Sequence, residues 1–298
     1  MILNSRAVYT DRLFFLPPGI DTTDKLLSTP KIAFIGAGNM ASSIIGGLVE
    51  SGHPANCITA ADPYPQSLEQ LREIAAVRLC SDNATAAEGA DIVMLAVKPQ
   101  VMAEATDSIA PAVQASGAVT ISIAAGVTID SMQSRLGQGA AIVRCMPNTP
   151  ALLGCGASGL YANAQASAQQ REYAQLVLSA VGMTRWVATE QELDAITALS
   201  GSGPAYFFLF LEAMIDAGGE LGLDPETASQ MAMQTSLGAA RMALESDVDL
   251  AELRRRVTSP GGTTERAIAS FEQDGLRDVV SRAMRAAADR AAEMAREM

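Results

Sequence analysis

The chain has 298 residues, which exceeds the usual size of a single domain, so two domains are expected. Hydrophobic residues make up 49% of the chain, and the formal net charge of −12 argues against nucleic acid as a partner. The four cysteines form no Cys-x-x-Cys pair and lie near no histidine. They are therefore expected to be reduced thiols of a cytoplasmic protein, with no metal site.

Residues 1–30 precede the first strand pattern and are expected to form a flexible extension. Their apolar run Leu13–Leu16 ends at Pro17 and is too short to span a membrane. The residues after it carry charges and no Ala-x-Ala cleavage pattern, which argues against a targeting segment. No other segment has the roughly 18 uninterrupted apolar residues of a membrane helix, so no membrane partner is expected.

Short apolar runs alternate with amphipathic segments from residue 31 to about residue 189. The predicted strands are Ile32–Ile35, Ile58–Ala61, Val77–Leu79, Asp91–Val97, Val119–Ile123, Ala141–Cys145, Gly156–Tyr161 and Thr184–Val187. The predicted helices are Met40–Ser51, Gln66–Ala76, Asn83–Glu88, Ile129–Leu136 and Ala168–Val181. Such alternation predicts an α/β fold with a parallel, doubly wound Rossmann sheet that helices cover on both faces.

The pattern changes near residue 190, after which no strand is predicted. The candidate helices are Asp194–Leu199, Pro204–Leu221, Pro225–Glu245, Asp249–Val257, Thr264–Asp274 and Leu276–Met298. We therefore expect a dinucleotide-binding domain at residues 31–189 and an all-helical domain at residues 190–298. Small residues at the helix crossings make the second domain a candidate subunit interface.

A glycine pattern, Gly36-x-Gly38-x-x-Ala41, follows the first strand and opens the first helix. In a dinucleotide-binding turn, these positions allow the tight turn, the approach of the pyrophosphate and close packing of helix on strand. Asp62 follows the second strand, where an acidic residue hydrogen-bonds the ribose 2′-OH and repels a 2′-phosphate. Taken alone it favours NADH over NADPH; alternatively, it only opens the turn at Pro63.

Further candidates follow the other strands, where ligands bind in such folds. Lys98, in Val97-Lys98-Pro99, is directed toward the cofactor or is an ordinary surface lysine. Ala124-Ala125-Gly126-Val127 is expected to line the same crevice. Asn148 and Thr149 either donate to the nicotinamide or substrate, or only shape a turn between prolines.

The run Val257–Thr264 contains Ser259-Pro260-Gly261-Gly262-Thr263-Thr264, ahead of an apolar-periodic segment. A tight turn with hydroxyls and backbone N–H groups at a helix N-terminus suits a small anion such as a carboxylate. A nicotinamide site together with a carboxylate site indicates a reductase. His53, the only histidine, lies in the loop after the first helix and is expected to be no catalyst.

These blocks together resemble the pyrroline-5-carboxylate reductase family. The resemblance rests on Val257–Thr264, on the turn at Gly36, and on four further runs. Those runs are Ala96–Pro99, Ala124–Thr128, Arg144–Pro150 and Leu199–Tyr206. It covers the chain from Lys31 almost to the C-terminus. It implies an N-terminal Rossmann domain, a C-terminal helical dimerisation domain, and homodimers that often assemble into decamers.

The resemblance also implies an activity, which is hydride transfer from NADPH or NADH to 1-pyrroline-5-carboxylate to give L-proline. Ser259, Gly261, Gly262, Thr263 and Thr264 are then expected to bind the substrate carboxylate. Thr197 resembles the threonine that hydrogen-bonds the ring nitrogen, and it is a catalytic candidate with Lys98. The residues expected to contact the cofactor are Gly36, Gly38, Asn39, Met40, Asp62, Asn83, Ala96, Val97, Lys98, Pro99, Ala125, Gly126 and Asn148.

Two departures from the family pattern stand out. Glu265-Arg266 follows the Val257–Thr264 run where relatives usually carry apolar or small residues, which would place an ion pair at the subunit contact or alter the helix. Asp62 stands where many relatives have Ser or Thr, so NADH is expected to be used at least comparably to NADPH. The alternatives left open are a reductase of a related cyclic imino acid and a non-catalytic nucleotide-binding relative.

Overall fold

The structure is a computed structural model that describes residues 29–297. The predicted extension at residues 1–30 therefore lies, except for its last two residues, outside the described part. Eight strands form one sheet in the order β3-β2-β1-β4-β5-β6-β7-β8. The strands are β1 Ile32–Ile35, β2 Ile58–Ala61, β3 Arg78–Cys80, β4 Ile92–Leu95, β5 Val119–Ser122, β6 Ile142–Met146, β7 Gly156–Ala162 and β8 Gly182–Trp186.

Helices cover both faces of this sheet and continue after it to the end of the described chain. Those associated with the sheet are α1 Asn39–Glu50, α2 Pro65–Ile74, α3 Asn83–Ala87, α4 Met102–Ser116, α5 Ile129–Leu136 and α6 Ala168–Ser179. Those that follow the sheet are α7 Glu192–Ile196, α8 Gly203–Glu220, α9 Pro225–Glu245, α10 Leu250–Arg256, α11 Thr263–Gln273 and α12 Leu276–Glu297. The predicted fold class, a Rossmann sheet followed by an all-helical segment, is confirmed.

The prediction of a parallel sheet fails at its last two strands, since β7 and β8 run opposite to the other six. Neighbours pair in parallel from β3 to β6, but β7 runs antiparallel to β6, with Val143 opposite Ala162. The cause is the length of the connection, since only residues 147–155 separate the two strands. A parallel crossover needs about a dozen residues or more. The helix α6 then allows β8 to return parallel to β7.

Helix α4 was not predicted from the sequence. Its buried residues recur at helical spacing, namely Met102, Ala105, Thr106, Ile109, Ala110 and Val113. Pro111 lies inside the helix, where it removes one backbone hydrogen bond, and this residue obscured the pattern. Its side chain faces solvent, so the helix continues past it to Gly117, which adopts φ +68°.

The helices after the sheet expose much apolar surface. Within the continuous helical stretch Glu192–Glu220, an 18-residue window has a mean hydropathy of 1.3, so this helix is long and apolar enough to cross a membrane by length and composition alone. Ser200, Ser202 and Glu212 interrupt the stretch, so it is not the uninterrupted apolar segment that the sequence analysis excluded. Within it, Phe207 and Leu209 are each 67% exposed. Exposed apolar patches of this kind mark an interface with protein or lipid.

A buried ion pair joins the sheet to the helices that follow it. Arg144 on β6 donates to Glu190 at 2.6 Å, and their side chains are only 8% and 22% exposed. The same oxygen of Glu190 accepts the backbone N–H of Ile129 at 2.8 Å, which is the first residue of α5. One carboxylate thus ties together β6, the start of α5 and the segment that leads into α7.

We expect Glu190→Ala to lower the free energy of unfolding by about 3 kcal/mol, because Arg144 would stay buried without its partner. Urea titration followed by circular dichroism measures this loss. The matched control is Glu293→Ala, since the Glu293–Arg290 pair is about half exposed (49% and 55%) and exposed pairs contribute little. A loss no larger than that of the control would contradict a stabilising role for the buried pair.

Candidate active site

A crevice opens at the carboxyl ends of β1 and β4, where the chain leaves the sheet in opposite directions. The end of β1 is bonded on both sides: Ala96 N–H, after β4, donates to Ile35 O at 2.8 Å, and Gly36 N–H donates to Ala61 O of β2 at 2.7 Å. A Cβ added to Gly36 would lie 2.6 Å from the Ala96 oxygen, and its φ is +98°. Only glycine fits there. Such a switch point is where dinucleotides bind in Rossmann folds.

The N-terminus of α1 points into this crevice and fits a pyrophosphate. Gly38 is the N-cap residue and carries no capping side chain, so the first N–H groups of a 12-residue helix are left for a ligand. A Cβ added to Gly38 would meet nothing within 4 Å, which leaves open space beside the backbone. Ala41 is fully buried against the strands. The residues present therefore fit a dinucleotide cofactor, with Asn39 and Met40 in the first helical turn.

The adenosine side of the crevice contains two aspartates. The Asp62 carboxylate is 7% exposed and accepts the backbone N–H groups of Ala37 at 2.8 Å and Tyr64 at 2.9 Å. It thus shapes its own turn, which is one of the two alternatives from the sequence, and it also braces the glycine turn. Its hydrogen bond to a cofactor ribose stays a prediction. Asp82 is the N-cap of α3, and hydrogen bonds from the Thr85 hydroxyl and backbone N–H lower its pKa. Asn83 donates to the Ser108 hydroxyl at 3.1 Å.

The nicotinamide side is formed by the ends of β4 and β5. Ala96, Val97 and Lys98 follow β4, and the exposed Lys98 begins the short 3₁₀ turn Pro99–Val101. After β5, Ala125 leads into Gly126, whose φ is +76°. The structure brings these residues to the edge of the sheet that carries the glycine turn, as predicted. Their contacts with a cofactor stay predictions.

Thr197 lies where the helical segment meets this edge. The Asn148 amide after β6 donates to the Ser200 carbonyl at 3.0 Å and accepts the Ala157 N–H at 2.9 Å. These two bonds favour the alternative in which Asn148 shapes its loop, while its contact with cofactor stays a prediction. The Thr197 hydroxyl donates to the Leu193 carbonyl at 2.7 Å. Its oxygen therefore keeps lone pairs for a ligand that donates.

The helix around Thr197 is locally a π-helix, which sequence patterns did not reveal. Residues Thr197–Gly201 form this segment, and the Ser202 N–H reaches back to the Thr197 carbonyl at 2.8 Å. π-helical turns inside α-helices occur often at functional sites. Here the wider turn lies between α7 and α8, beside the loop that follows β6.

A second feature missed from the sequence is the charged group around Arg144. Asp194 lies one helical turn before Thr197, and burial raises its pKa, with Glu190 adding to the rise and Arg144 opposing it. The sequence did contain an indication of this charged group, because Arg144 stands inside the otherwise apolar strand pattern of Ile142–Met146. A charge that is nearly fully buried requires a partner, and that partner is Glu190.

The only histidine lies away from the crevice. His53 is in the loop after α1, whose C-terminal end lies at the opposite edge of the sheet from its glycine turn. Desolvation lowers its pKa, so the neutral imidazole is favoured near pH 7. The expectation that it is a loop residue agrees with this placement.

The turn Ser259–Thr264 lies between α10 and α11. Gly261 adopts φ +74°, Gly262 is the N-cap of α11, and the Gly262 N–H donates to the Ser259 carbonyl at 3.0 Å. The Glu265 carboxylate accepts the Gly261 N–H at 2.7 Å. The Glu265 carboxylate thus already accepts a hydrogen bond from one of the N–H groups that a substrate carboxylate would use. Within residues 29–297, the hydrogen bonds of this turn stay within the turn and α11, and the preceding Thr258 bonds to α10.

Comparison with known proteins identifies the family. Residues 31–126 match a family model described as NADP oxidoreductase, coenzyme F420-dependent, and residues 190–294 match one described as pyrroline-5-carboxylate reductase dimerisation. A pyrroline-5-carboxylate reductase of Pseudomonas aeruginosa is 54% identical over 272 residues, which cover 91% of this chain and 99% of that protein.

Solved structures agree with this match. A pyrroline-5-carboxylate reductase from Coxiella burnetii has a TM-score of 0.87 at 42% identity, covering 89% of this chain and 98% of that one. A pyrroline carboxylate reductase of Plasmodium falciparum with NADP bound has a TM-score of 0.78 at 29% identity, with the same coverage. On this evidence the chain belongs to the pyrroline-5-carboxylate reductase family.

Proposed function

We propose that this protein reduces 1-pyrroline-5-carboxylate to L-proline with NADPH or NADH, the last step of proline biosynthesis, in the cytoplasm. The observation that carries the proposal is the position of Thr197. Its hydroxyl proton is committed to Leu193, and it lies at the edge of a crevice that fits a dinucleotide. The family match supports the same substrate.

The proposed reaction needs a hydrogen-bond acceptor for the ring N–H of the substrate more than it needs a strong general acid. A protonated cyclic imine is already electrophilic, and the bound cofactor supplies a hydride to its C=N carbon. The Thr197 oxygen can accept the N–H of the iminium ring, because its own proton points to Leu193. Holding the ring in this way contributes through positioning, which is worth several kcal/mol of a barrier in favourable cases. Lys98 is proposed to add positive charge at the nicotinamide side.

The substrate carboxylate is proposed to bind the Ser259–Thr264 turn. Gly261 adopts a positive φ, and Gly262 begins α11 as an N-cap without a capping side chain, so the first N–H groups of this helix favour an anion. The hydrogen bonds of this turn in residues 29–297 stay within the helical part of its own chain. We therefore infer that a second subunit presents its turn to this crevice, so that two copies complete each site.

The helical part is proposed to be the subunit interface. The matched dimerisation model spans residues 190–294, which supports the boundary between residues 31–189 and 190–298. The exposed phenylalanines Phe207, Phe208 and Phe210 would be covered by a second copy. This pairing accounts for the apolar stretch Glu192–Glu220 without a membrane, and its acidic residues Glu212, Asp216 and Glu220 recur every four residues. Assembly of dimers into decamers stays a prediction.

The reaction is tested by mixing the purified protein with 1-pyrroline-5-carboxylate and either reduced cofactor. We expect nicotinamide absorbance to fall while L-proline accumulates in equal amount. Reduction of a six-membered cyclic imine in preference to the five-membered one would instead identify a related reductase. Absence of turnover on either imine would indicate a non-catalytic relative.

Replacing Thr197 tests the proposed acceptor. We expect Thr197→Val to lower kcat/KM by about tenfold to a hundredfold, as loss of a hydrogen bond to a charged group does, and Thr197→Ser to retain most activity. The matched control is Thr106→Val on α4, since the Thr106 hydroxyl makes the same 2.7 Å bond to a carbonyl one turn back. Equal losses in the two valine variants would refute a specific role for Thr197.

Replacing Glu265 tests the substrate turn. We expect Glu265→Ala to lower KM for 1-pyrroline-5-carboxylate severalfold with little change in kcat, because the Gly261 N–H becomes free for the substrate. Glu226→Ala is the matched control, since Glu226 lies in the first turn of α9 and its loss changes the net charge equally. An unchanged or higher KM in Glu265→Ala alone would mean that Glu265 supports the turn and does not compete with substrate.

A further inference from the structure

We propose that the adenosine side of the crevice selects NADH over NADPH, because the Asp62 and Asp82 carboxylates repel a 2′-phosphate that no basic residue of the segment 58–83 neutralises. The inference rests on the proposed function only in requiring a nicotinamide dinucleotide as cofactor. The matched family model and one solved relative are described with NADP. The inference therefore depends on residues of this chain and not on those relatives.

The first step is the fixed position of Asp62. Its two oxygens accept backbone N–H groups on either side, from Ala37 in the glycine turn and from Tyr64 in the loop after β2. A buried carboxylate held by two bonds cannot swing away to admit a phosphate. Each oxygen retains a lone pair, and a ribose 2′-OH can donate to one of them. A 2′-phosphate would have to approach within contact distance of the same charge.

The second step is the neighbouring strand. β3 pairs with β2, so the loop after β3 lies at the same edge, and it carries Asp82 at the start of α3. Thr85 holds the Asp82 carboxylate through its backbone N–H at 2.7 Å. The hydrogen bonds that lower its pKa also keep it ionised near neutral pH. A phosphate on this side would therefore meet two negative charges.

The third step is the distribution of cations. Residues 58–83, which span β2, α2, β3 and the start of α3, contain only two basic residues, Arg72 and Arg78. Arg72 pairs with Glu69 on α2 at 2.8 Å, and both side chains are about two-thirds exposed (64% and 66%). Arg78 begins β3 and so lies at the amino end of the sheet. In such folds an arginine nearby accommodates a 2′-phosphate, and neither residue is placed for it.

Direct binding tests the proposal without any imine. Purified full-length protein is titrated with NADH and with NADPH, and the nicotinamide fluorescence gives two dissociation constants. We expect NADH to bind at least about tenfold more tightly, since juxtaposed like charges are strongly unfavourable. Equal binding, or tighter binding of NADPH, would overturn the selectivity while leaving the proposed reductase intact. Failure of both cofactors to bind would overturn the reductase as well.

Three variants locate the cause. We expect Asp62→Asn to reduce the NADH-to-NADPH affinity ratio by about tenfold and Asp82→Asn by about threefold, the larger effect belonging to the buried charge. Asp91→Asn is the control, since the Asp91 carboxylate also accepts a backbone N–H, from Lys31 at 2.7 Å, but at the amino end of the sheet. A ratio that is unchanged in the first two variants, or that falls equally in the control, would contradict the assignment. Because Asp82 and Asp91 are exposed, these two variants remain informative if Asp62→Asn fails to fold.

Discussion

The close approach of β1 to β4 at Gly36 is the constraint on which the rest of the site depends. With the Ala96 carbonyl so near, the chain must turn sharply, and α1 then begins with its free N–H groups facing the crevice. The same turn presents the Ala37 N–H to Asp62, which fixes the acidic group at the adenosine side. The predicted cofactor geometry and the proposed cofactor selectivity therefore both depend on one glycine turn.

Much of this arrangement could be predicted from the sequence, because strands and helices differ in the period of their apolar residues. That argument located β1, β2 and β4, and with them the residues at the carboxyl edge. It did not find α4, because Pro111 interrupts the pattern, and it did not foresee that β7 runs antiparallel. The short connection between β6 and β7 does indicate an antiparallel pair, but the period of the apolar residues takes no account of connection length.

Other features had no local pattern to reveal them. A π-helical turn such as Thr197–Gly201 differs from an α-helix by one bond register, which no residue type specifies. The partners of Arg144 and of Asp62 lie far along the chain or in backbone groups, so only the folded structure shows them. The Gly261 N–H and the Glu265 carboxylate are only four residues apart along the chain. The sequence alone does not show whether their bond competes with a ligand of the turn.

The double engagement of Asp62 has a consequence for how this family could diversify. A residue that only contacts ribose can mutate freely when a lineage changes cofactor. Here the same carboxylate also braces the phosphate-binding turn, so its replacement removes a structural support together with a selective charge. A lineage that moved toward NADPH would need a compensating change near Ala37 or Tyr64 before, or together with, the loss of the aspartate. The proposed cofactor choice of this chain is thus coupled to fold stability, and a substitution that reverses it also removes a support of the glycine turn.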